Sequence, residues 1–206
     1  MSAEPARTAV AGLSPFWVYT AAGLPFDFAN PSPQMIERRA LAWQLSGEGR
    51  WANNTQFALS VAQHSLLVAH AINRPEYRIY GLLHDAAEAF TRDLPTPFKL
   101  WLKSQGANVQ ALERRILLEA VLPYFELADP LPEIDRVVDY ADARALATEY
   151  RDAVAGKGPE WVPSLPPLST TVRFKRRETV LEEFLAALDT MQRDAWKAGF
   201  KRSASQ

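Results

Sequence analysis

The stretch YGLLHDAAEAFTRDLP, residues 80–95, combines a helical apolar pattern with several ionisable residues. Its apolar residues recur at helical spacing, and the Gly and Ala residues among them favour close packing against a neighbouring helix. Yet His84, Asp85, Glu88 and Asp93 put four ionisable groups within ten residues. Buried ionisable groups are stable only when they are paired or bound to a metal. The stretch therefore predicts either a solvated helix face or a polar site inside the fold.

The overall composition is that of a globular chain. The 206 residues are 48% hydrophobic and 23% charged, with a net charge of −1 and no cysteine. The lack of cysteine excludes disulfides and thiolate metal sites, and the balanced charge argues against binding to nucleic-acid polymers. No apolar run approaches the roughly 20 residues that span a bilayer. We expect a soluble, cytoplasmic protein with a flexible leader at 1–14, a single domain at 15–200 and a flexible tail at 201–206.

Periodicity predicts an all-α fold with one short N-terminal hairpin. The aromatic, β-prone segment FWVYTAAGLPFDF at 16–28 indicates the hairpin. LPTP at 94–97 indicates the end of a helix. An apolar stripe on the last helix fits either the core or an interface between two copies, and comprises Val180, Leu181, Phe184, Leu188, Met191 and Trp196. The helices are expected at about 34–46, 57–73, 76–91, 108–121, 131–155 and 175–198.

Helical phase predicts which polar side chains point inward, because successive residues rotate by about 100°. His64 lies at the centre of the apolar stripe of the second helix, and His70 falls about 120° away from it. On the helix at 131–155, Asp142 flanks the apolar stripe, whereas Asp139 points further outward. His64 and Asp142 are therefore the inward candidates of their helices.

Together with His84 and Asp85, these residues indicate a metal site. A single inward histidine is more often a satisfied core residue, and a histidine followed by an aspartate is common by chance. Three separate helices that each aim such a group inward are harder to explain without a ligand. Two imidazoles and two carboxylates suit a divalent cation and leave positions for water or a phosphate oxygen.

The order His64…His84-Asp85…Asp142 resembles the HD-domain superfamily of metal-dependent phosphohydrolases. The resemblance implies an HD-domain helical bundle in which these four residues bind one divalent metal ion, whether Mn, Co, Mg or Zn. The fuller pattern resembles the bacterial 5′-deoxynucleotidase-like branch. The segments that carry this likeness are TAAGLPFDFANPSP (20–33), RW (50–51), VAQHS (61–65), GLLHDAAEAFTRDLPTP (81–97) and YADARALATE (140–149).

The resemblance also implies roles for residues that do not bind the metal. Glu88 matches the acid that positions or deprotonates the attacking water, and Asp93 matches a second acid at the site. Arg50 matches a phosphate-binding arginine, and Trp51 matches a neighbour that packs near the nucleotide. The other polar candidates for substrate binding are Thr91 and Lys99.

The implied activity is removal of phosphate from 5′-(deoxy)nucleotides, above all deoxynucleoside 5′-monophosphates. One alternative is a dNTP triphosphohydrolase that releases tripolyphosphate, and a more distant one is a non-catalytic nucleotide-binding module on the same fold. A longer phosphate chain needs more cations, for which the candidates are Lys99, Lys103, Arg114 and Arg115. His70 is the only spare histidine, which favours a single metal ion. The expected partner is a small-molecule nucleotide, and proteins of this kind are commonly homodimers.

Overall fold

The computed structural model describes residues 12–156, 158 and 163–203. Within these ranges, nine α-helices enclose one large apolar core, and a two-stranded hairpin lies near the N-terminus. The predicted all-α class with an N-terminal hairpin is therefore confirmed. Residues 1–11 of the predicted leader and 204–206 of the predicted tail lie outside the described residues. In the described part of the chain, no helix is long and apolar enough to cross a membrane.

The helices include short and irregular pieces as well as two long ones. A π-helical turn at Leu117–Val121 connects α6 to α7, and 3-10 turns occupy Pro33–Met35, Trp51–Asn53 and Pro75–Tyr77. The regular elements are β1 Trp17–Tyr19, β2 Pro25–Asp27, α1 Arg38–Gly47, α2 Val61–Ala71, α3 Arg78–Leu83, α4 Glu88–Thr91, α5 Thr96–Ser104, α6 Val109–Ile116, α7 Leu122–Tyr124, α8 Pro132–Asp152 and α9 Arg177–Lys197.

The hairpin is fixed to the helices through its second strand. β1 and β2 pair antiparallel with Trp17 opposite Asp27, and Gly23 in the turn has a φ of +74° that suits glycine. Phe26 is fully buried and stacks on Phe90 of α4, with ring centroids 3.8 Å apart and planes 5° apart. The hairpin therefore supports the stretch that carries the ionisable groups.

Helix α2 lies at the centre of the fold. The Ser60 side chain caps it by accepting a hydrogen bond from the backbone N–H of Gln63 at 3.3 Å. α2 packs against α1, α3, α8 and α9, and its first six residues are all buried. His64 is among them, whereas His70 is exposed. The phase predicted for the two histidines is therefore correct.

The predicted third helix is broken in its middle. α3 ends at Leu83, and α4 begins only at Glu88. In the turn between them, backbone N–H groups bond to carbonyls three residues earlier, as Glu88 does to Asp85 at 3.0 Å. The Nδ1 atom of His84 bonds to the carbonyl of Gly81 at 2.8 Å. The prediction of one continuous helix is wrong, because these shorter-range bonds replace the α-helical ones.

Helix α5 is an element that the sequence prediction misses, because Pro95 and Pro97 indicate a helix end. A proline in the first turn is compatible with a helix, since the N–H groups there have no partner within the helix. α5 has no buried residue and packs against α6. Its side chains Phe98, Leu100 and Trp101 are exposed.

The apolar stripe of α9 packs into the core of the chain. Of its six members, Trp196 is partly buried and packs against the core from its edge. The buried members are Val180, Leu181, Phe184, Leu188 and Met191.

The contact between α2 and α3 depends on Gly81. A Cβ atom there would lie 2.6 Å from Ile72 Cδ1 and 3.3 Å from Ala69 Cα. The Ile72 side chain can move, but the α2 backbone at Ala69 cannot. We expect Gly81→Val to lower the free energy of unfolding by about 1–3 kcal/mol in urea denaturation, the usual cost of overpacking. Ala186→Val on the exposed face of α9 is the control, and equal losses in both variants would contradict a special role of Gly81.

Candidate metal centre

Three parts of the chain bring the four predicted ligands together. His64 comes from α2, His84 and Asp85 from the turn after α3, and Asp142 from α8. The Nε2 atom of His64 lies 3.0 Å from Asp142 Oδ1 and 3.6 Å from Asp85 Oδ2. The Nε2 atom of His84 lies 3.2 Å from the same Asp85 oxygen and 4.0 Å from the same Asp142 oxygen. One atom of each residue therefore faces a common point.

Both histidines are oriented to bind a cation through Nε2. Nδ1 of His64 lies 2.7 Å from Glu149 Oε1, and Nδ1 of His84 lies 2.8 Å from the Gly81 carbonyl oxygen. A ring that donates its proton from Nδ1 keeps a lone pair on Nε2. Both Nε2 atoms are buried and have no hydrogen-bond partner among the described residues. Such nitrogens fit a metal ion, which would satisfy both of them.

The spacing of these atoms also fits one ion. Metal–nitrogen and metal–oxygen bonds of about 2.0–2.2 Å separate neighbouring ligand atoms by roughly 3–4 Å. Donor atoms of His64, His84 and Asp85 all lie within 4.8 Å of one another. The Asp142 side chain is 42% exposed, so the centre is open on that side. Asp139 is exposed, as the helical phase predicts.

The surroundings of the centre are strongly negative. Burial and Arg50 lower the pKa of His64, but Glu149 and Asp142 outweigh them and raise it to about 10. Burial raises the pKa of Asp85, yet the neighbouring histidines and Arg50 hold it far below its usual value. The negative charge that favours a proton on His64 equally favours a divalent cation at the same point.

Glu88 lies beside the centre as a buried carboxyl group. Burial, followed by the charges of Asp85 and Asp93, raises the pKa of Glu88 to about 9. Its Oε1 atom accepts a hydrogen bond from Lys99 Nζ at 3.0 Å. Its Oε2 atom is buried and without a hydrogen-bond partner in the described part of the chain. Glu88 therefore offers one fixed oxygen and one free oxygen.

Lys99 and Thr91, both predicted to bind substrate, are connected through Glu113. The Lys99 ammonium lies 2.9 Å from the Glu113 carboxylate as well as 3.0 Å from Glu88. The Thr91 hydroxyl donates to Oε1 of the same Glu113 carboxylate at 3.2 Å. The lysine thus links the buried acid of α4 to α6.

Arg50 is buried among acids. Its guanidinium lies 3.3 Å from Asp93 Oδ1, 3.5 Å from Glu149 Oε2 and 3.8 Å from Asp85 Oδ2. The Nε atom is buried and has no hydrogen-bond partner within the described ranges. The predicted phosphate-binding arginine therefore also neutralises the acids around the metal centre.

Trp51 lies in a strained turn next to Arg50. Trp51, Ala52 and Asn53 have φ angles of +57°, +49° and +62°, a region that non-glycine residues rarely adopt. The indole Nε1 of Trp51 donates to Glu149 Oε2 at 2.9 Å. Strain of this kind persists only where surrounding contacts hold it, and clusters at functional sites.

Two acids at the centre have no predicted role, Glu149 and Glu113. Glu149 follows Asp142 by seven residues, which is two helical turns and the same face of α8. That spacing is a signal from which Glu149 could have been predicted. Glu113 lies on α6 and its partner Lys99 on α5, so no periodic spacing connects them.

Comparison with known proteins gives two relatives. The Escherichia coli protein YfdR, described as uncharacterized, is 30% identical over 158 residues, which cover 77% of this chain and 83% of YfdR. An uncharacterized protein of Rhodobacter capsulatus is 30% identical over 191 residues, covering 80% of this chain and 95% of that protein. No family model matches the chain.

The likeness to solved structures is weak. The cyanophage S-2L HD phosphohydrolase DatZ, bound to dA and one catalytic Zn²⁺ ion, is 16% identical with a TM-score of 0.43. The match covers 79% of this chain and 94% of DatZ, and a score of this size does not establish a shared fold. The two sequence relatives are stronger evidence of a shared family, because in each case the 30% identity extends over more than two thirds of this chain and of the relative. The chain belongs to the same family as Escherichia coli YfdR.

Proposed function

We propose that the protein is a single-metal phosphohydrolase of the HD-domain type that removes phosphate from deoxynucleoside 5′-monophosphates. The observation that supports it is the meeting of two buried imidazole Nε2 atoms, unpartnered among the described residues, with two carboxylate oxygens. His64, His84, Asp85 and Asp142 would hold the ion. When bound, a divalent cation withdraws charge from the phosphate and lowers the pKa of water in the site.

Glu88 is the proposed base. The attacking water forms a bond from its oxygen to phosphorus and gives a proton to Glu88, while the bond from phosphorus to the 5′ oxygen breaks. A divalent cation held by the four ligands would offset the charge of Asp85 and lower the pKa of Glu88, so that its carboxylate can accept the proton. Lys99 holds Oε1 of Glu88, which leaves Oε2 for the water.

Asp93 is the proposed donor of a proton to the departing 5′ oxygen. Burial raises the pKa of Asp93 although Arg50 opposes it, so the carboxyl group retains a proton more readily than an exposed aspartate. The leaving nucleoside oxygen takes that proton as its bond to phosphorus breaks. Glu88 thus removes a proton from the attacking water, and Asp93 delivers a proton to the leaving oxygen.

Arg50 is proposed to bind the phosphate, and Trp51 to pack near the nucleoside. A buried guanidinium with an unused Nε–H among the described residues has a donor available for a phosphate oxygen. The two residues are adjacent in the chain, so one turn would contact both parts of the substrate.

A monophosphate is favoured over a triphosphate because most of the cationic side chains that could bind a longer phosphate chain already have partners in the protein. Arg114 makes two hydrogen bonds to Asp135 at 3.1 and 2.9 Å. Arg115 donates to the Phe28 carbonyl at 2.6 Å. Lys99 is held between two glutamates. A triphosphate would therefore have to displace existing protein partners from three of its four candidate cations.

A pair of aspartates on α8 tests the ligand set. We expect Asp142→Asn to weaken metal binding by about tenfold or more, because its oxygen faces both histidines. Asp139→Asn should bind metal as the wild type does, since Asp139 is exposed. Chelator competition measures both variants. Equal loss in the two, or no loss in Asp142→Asn, would mean that Asp142 is not a ligand.

Glu88→Gln tests the base. We expect kcat to fall by about 10²–10⁴-fold, the usual contribution of general base catalysis, with metal content unchanged. Glu119→Gln, an exposed glutamate on the π-helical turn, should keep wild-type turnover. Steady-state kinetics and metal analysis check both variants. Retained activity, or loss of the metal together with activity, would exclude Glu88 as the base.

Product analysis tests the substrate. Metal-free protein is reloaded with Mn²⁺, Co²⁺, Mg²⁺ or Zn²⁺ and incubated with dNMPs, NMPs or dNTPs. Orthophosphate from dNMPs is the expected product. Tripolyphosphate from dNTPs would replace the monophosphatase with the triphosphohydrolase. No release from metal-loaded protein would contradict the enzyme and favour a nucleotide-binding role.

A further inference from the structure

Glu149 is a fully buried carboxylate whose two oxygens face different parts of the centre. Its Oε1 atom lies 2.7 Å from Nδ1 of His64. Its Oε2 atom accepts from Trp51 Nε1 at 2.9 Å and lies 3.5 Å from the Arg50 guanidinium. Glu149 is 0% exposed, so every one of these contacts is shielded from water.

We propose that Glu149 is a positioning residue that fixes His64 for the metal through Oε1 and holds the Arg50–Trp51 turn through Oε2. This inference rests on the proposed metal site. A carboxylate that accepts the Nδ1 proton of a ligating histidine fixes the ring orientation and makes Nε2 a better ligand. His64 is 1% exposed, so water cannot replace that acceptor.

A purely structural role would be the neutralisation of Arg50. The contacts argue for more, because the shortest of them goes to His64 and the arginine is the most distant of the three partners. Arg50 also has two other acids, Asp93 and Asp85, within 4 Å. Neutralisation alone therefore does not require Glu149 at this position.

Glu149→Gln is the direct test, because glutamine has the same shape but only one acceptor oxygen. It cannot accept from His64 on one side and from Trp51 on the other. We expect Zn²⁺ binding to the metal-free protein to weaken by about 10–100-fold. The Co²⁺-loaded variant should also show a changed visible absorption spectrum, since the ligand field depends on the imidazole orientation.

Thr148→Val is the matched control on the preceding residue of α8. Thr148 is fully buried, and its hydroxyl donates to Arg144 O at 2.7 Å and accepts from Leu168 N at 2.8 Å. The substitution removes these two buried hydrogen bonds, neither of which involves His64. We expect lower thermal stability with wild-type Zn²⁺ affinity. If Glu149→Gln also loses stability but keeps wild-type Zn²⁺ affinity and Co²⁺ spectrum, its role is structural and the proposal is wrong.

Trp51→Phe tests the role of Glu149 Oε2 separately from that of Oε1. It removes the donor to Oε2 and leaves the contact between Oε1 and His64. We expect a higher KM for the substrate and Zn²⁺ affinity near that of the wild type. Zn²⁺ binding as weak as in Glu149→Gln would contradict the division of roles.

NMR of the wild type provides a test that does not depend on the folding of a variant. With three histidines in the chain, the imidazole signals are few. We expect His64 in the Zn²⁺-loaded protein to keep a proton on Nδ1 and to bind the metal through Nε2. Metal on Nδ1, or a rapidly exchanging Nδ1 proton, would overturn the proposal.

The outcomes separate this inference from the proposed function. Weaker Zn²⁺ binding in Glu149→Gln, with no phosphate release by the wild type, would support the positioning role of Glu149 and contradict the proposed phosphohydrolase activity. Phosphate release by the wild type, with Zn²⁺ affinity unchanged in Glu149→Gln, would contradict the positioning role of Glu149 but not the proposed activity.

Discussion

Three carboxylates crowd around the buried ring of His64 and govern the electrostatics of the centre. Asp85, Glu149 and Asp142 all lie within 4 Å of its ring nitrogens. Charges of one sign in a low-dielectric interior are costly unless opposite charges or hydrogen bonds compensate them. Arg50 supplies part of the compensation, and a proton or a metal ion at Nε2 would supply more. A cation site is therefore the arrangement that best satisfies the buried groups.

The helices of the fold were predictable from the sequence to different degrees. α2, α8 and α9 follow from apolar periodicity because each buries a continuous stripe against the core. The break between α3 and α4 does not follow, since it depends on hydrogen bonds three residues apart and on the His84 contact with Gly81. α5 was hidden because a proline that begins a helix looks, in sequence, like one that ends it.

The site itself was predictable where one helix sets the geometry. The rotation of 100° per residue is sufficient to predict that His64 and Asp142 point inward. The same rule places Glu149 on the same face of α8 as Asp142. The contact of Lys99 with Glu113 joins two helices whose relative position no local pattern reports. The position of Arg50 also depends on tertiary packing, because its acidic partners Asp93 and Glu149 lie 43 and 99 residues away in the chain.

α8 and the segment that follows it contact the strained turn at Trp51–Asn53 and its neighbours, as well as carrying the proposed metal ligand Asp142. Left-handed backbone costs roughly 1–2 kcal/mol per non-glycine residue, so three in succession need strong external support. Part of that support comes from the segment just after α8, where Gln56 N bonds to Ala153 O at 2.7 Å and Ala155 N bonds to Asn54 O at 3.2 Å. The same helix carries Asp142 and Glu149. α8 therefore connects the proposed metal ligands to the Arg50–Trp51 turn, which is proposed to contact the substrate.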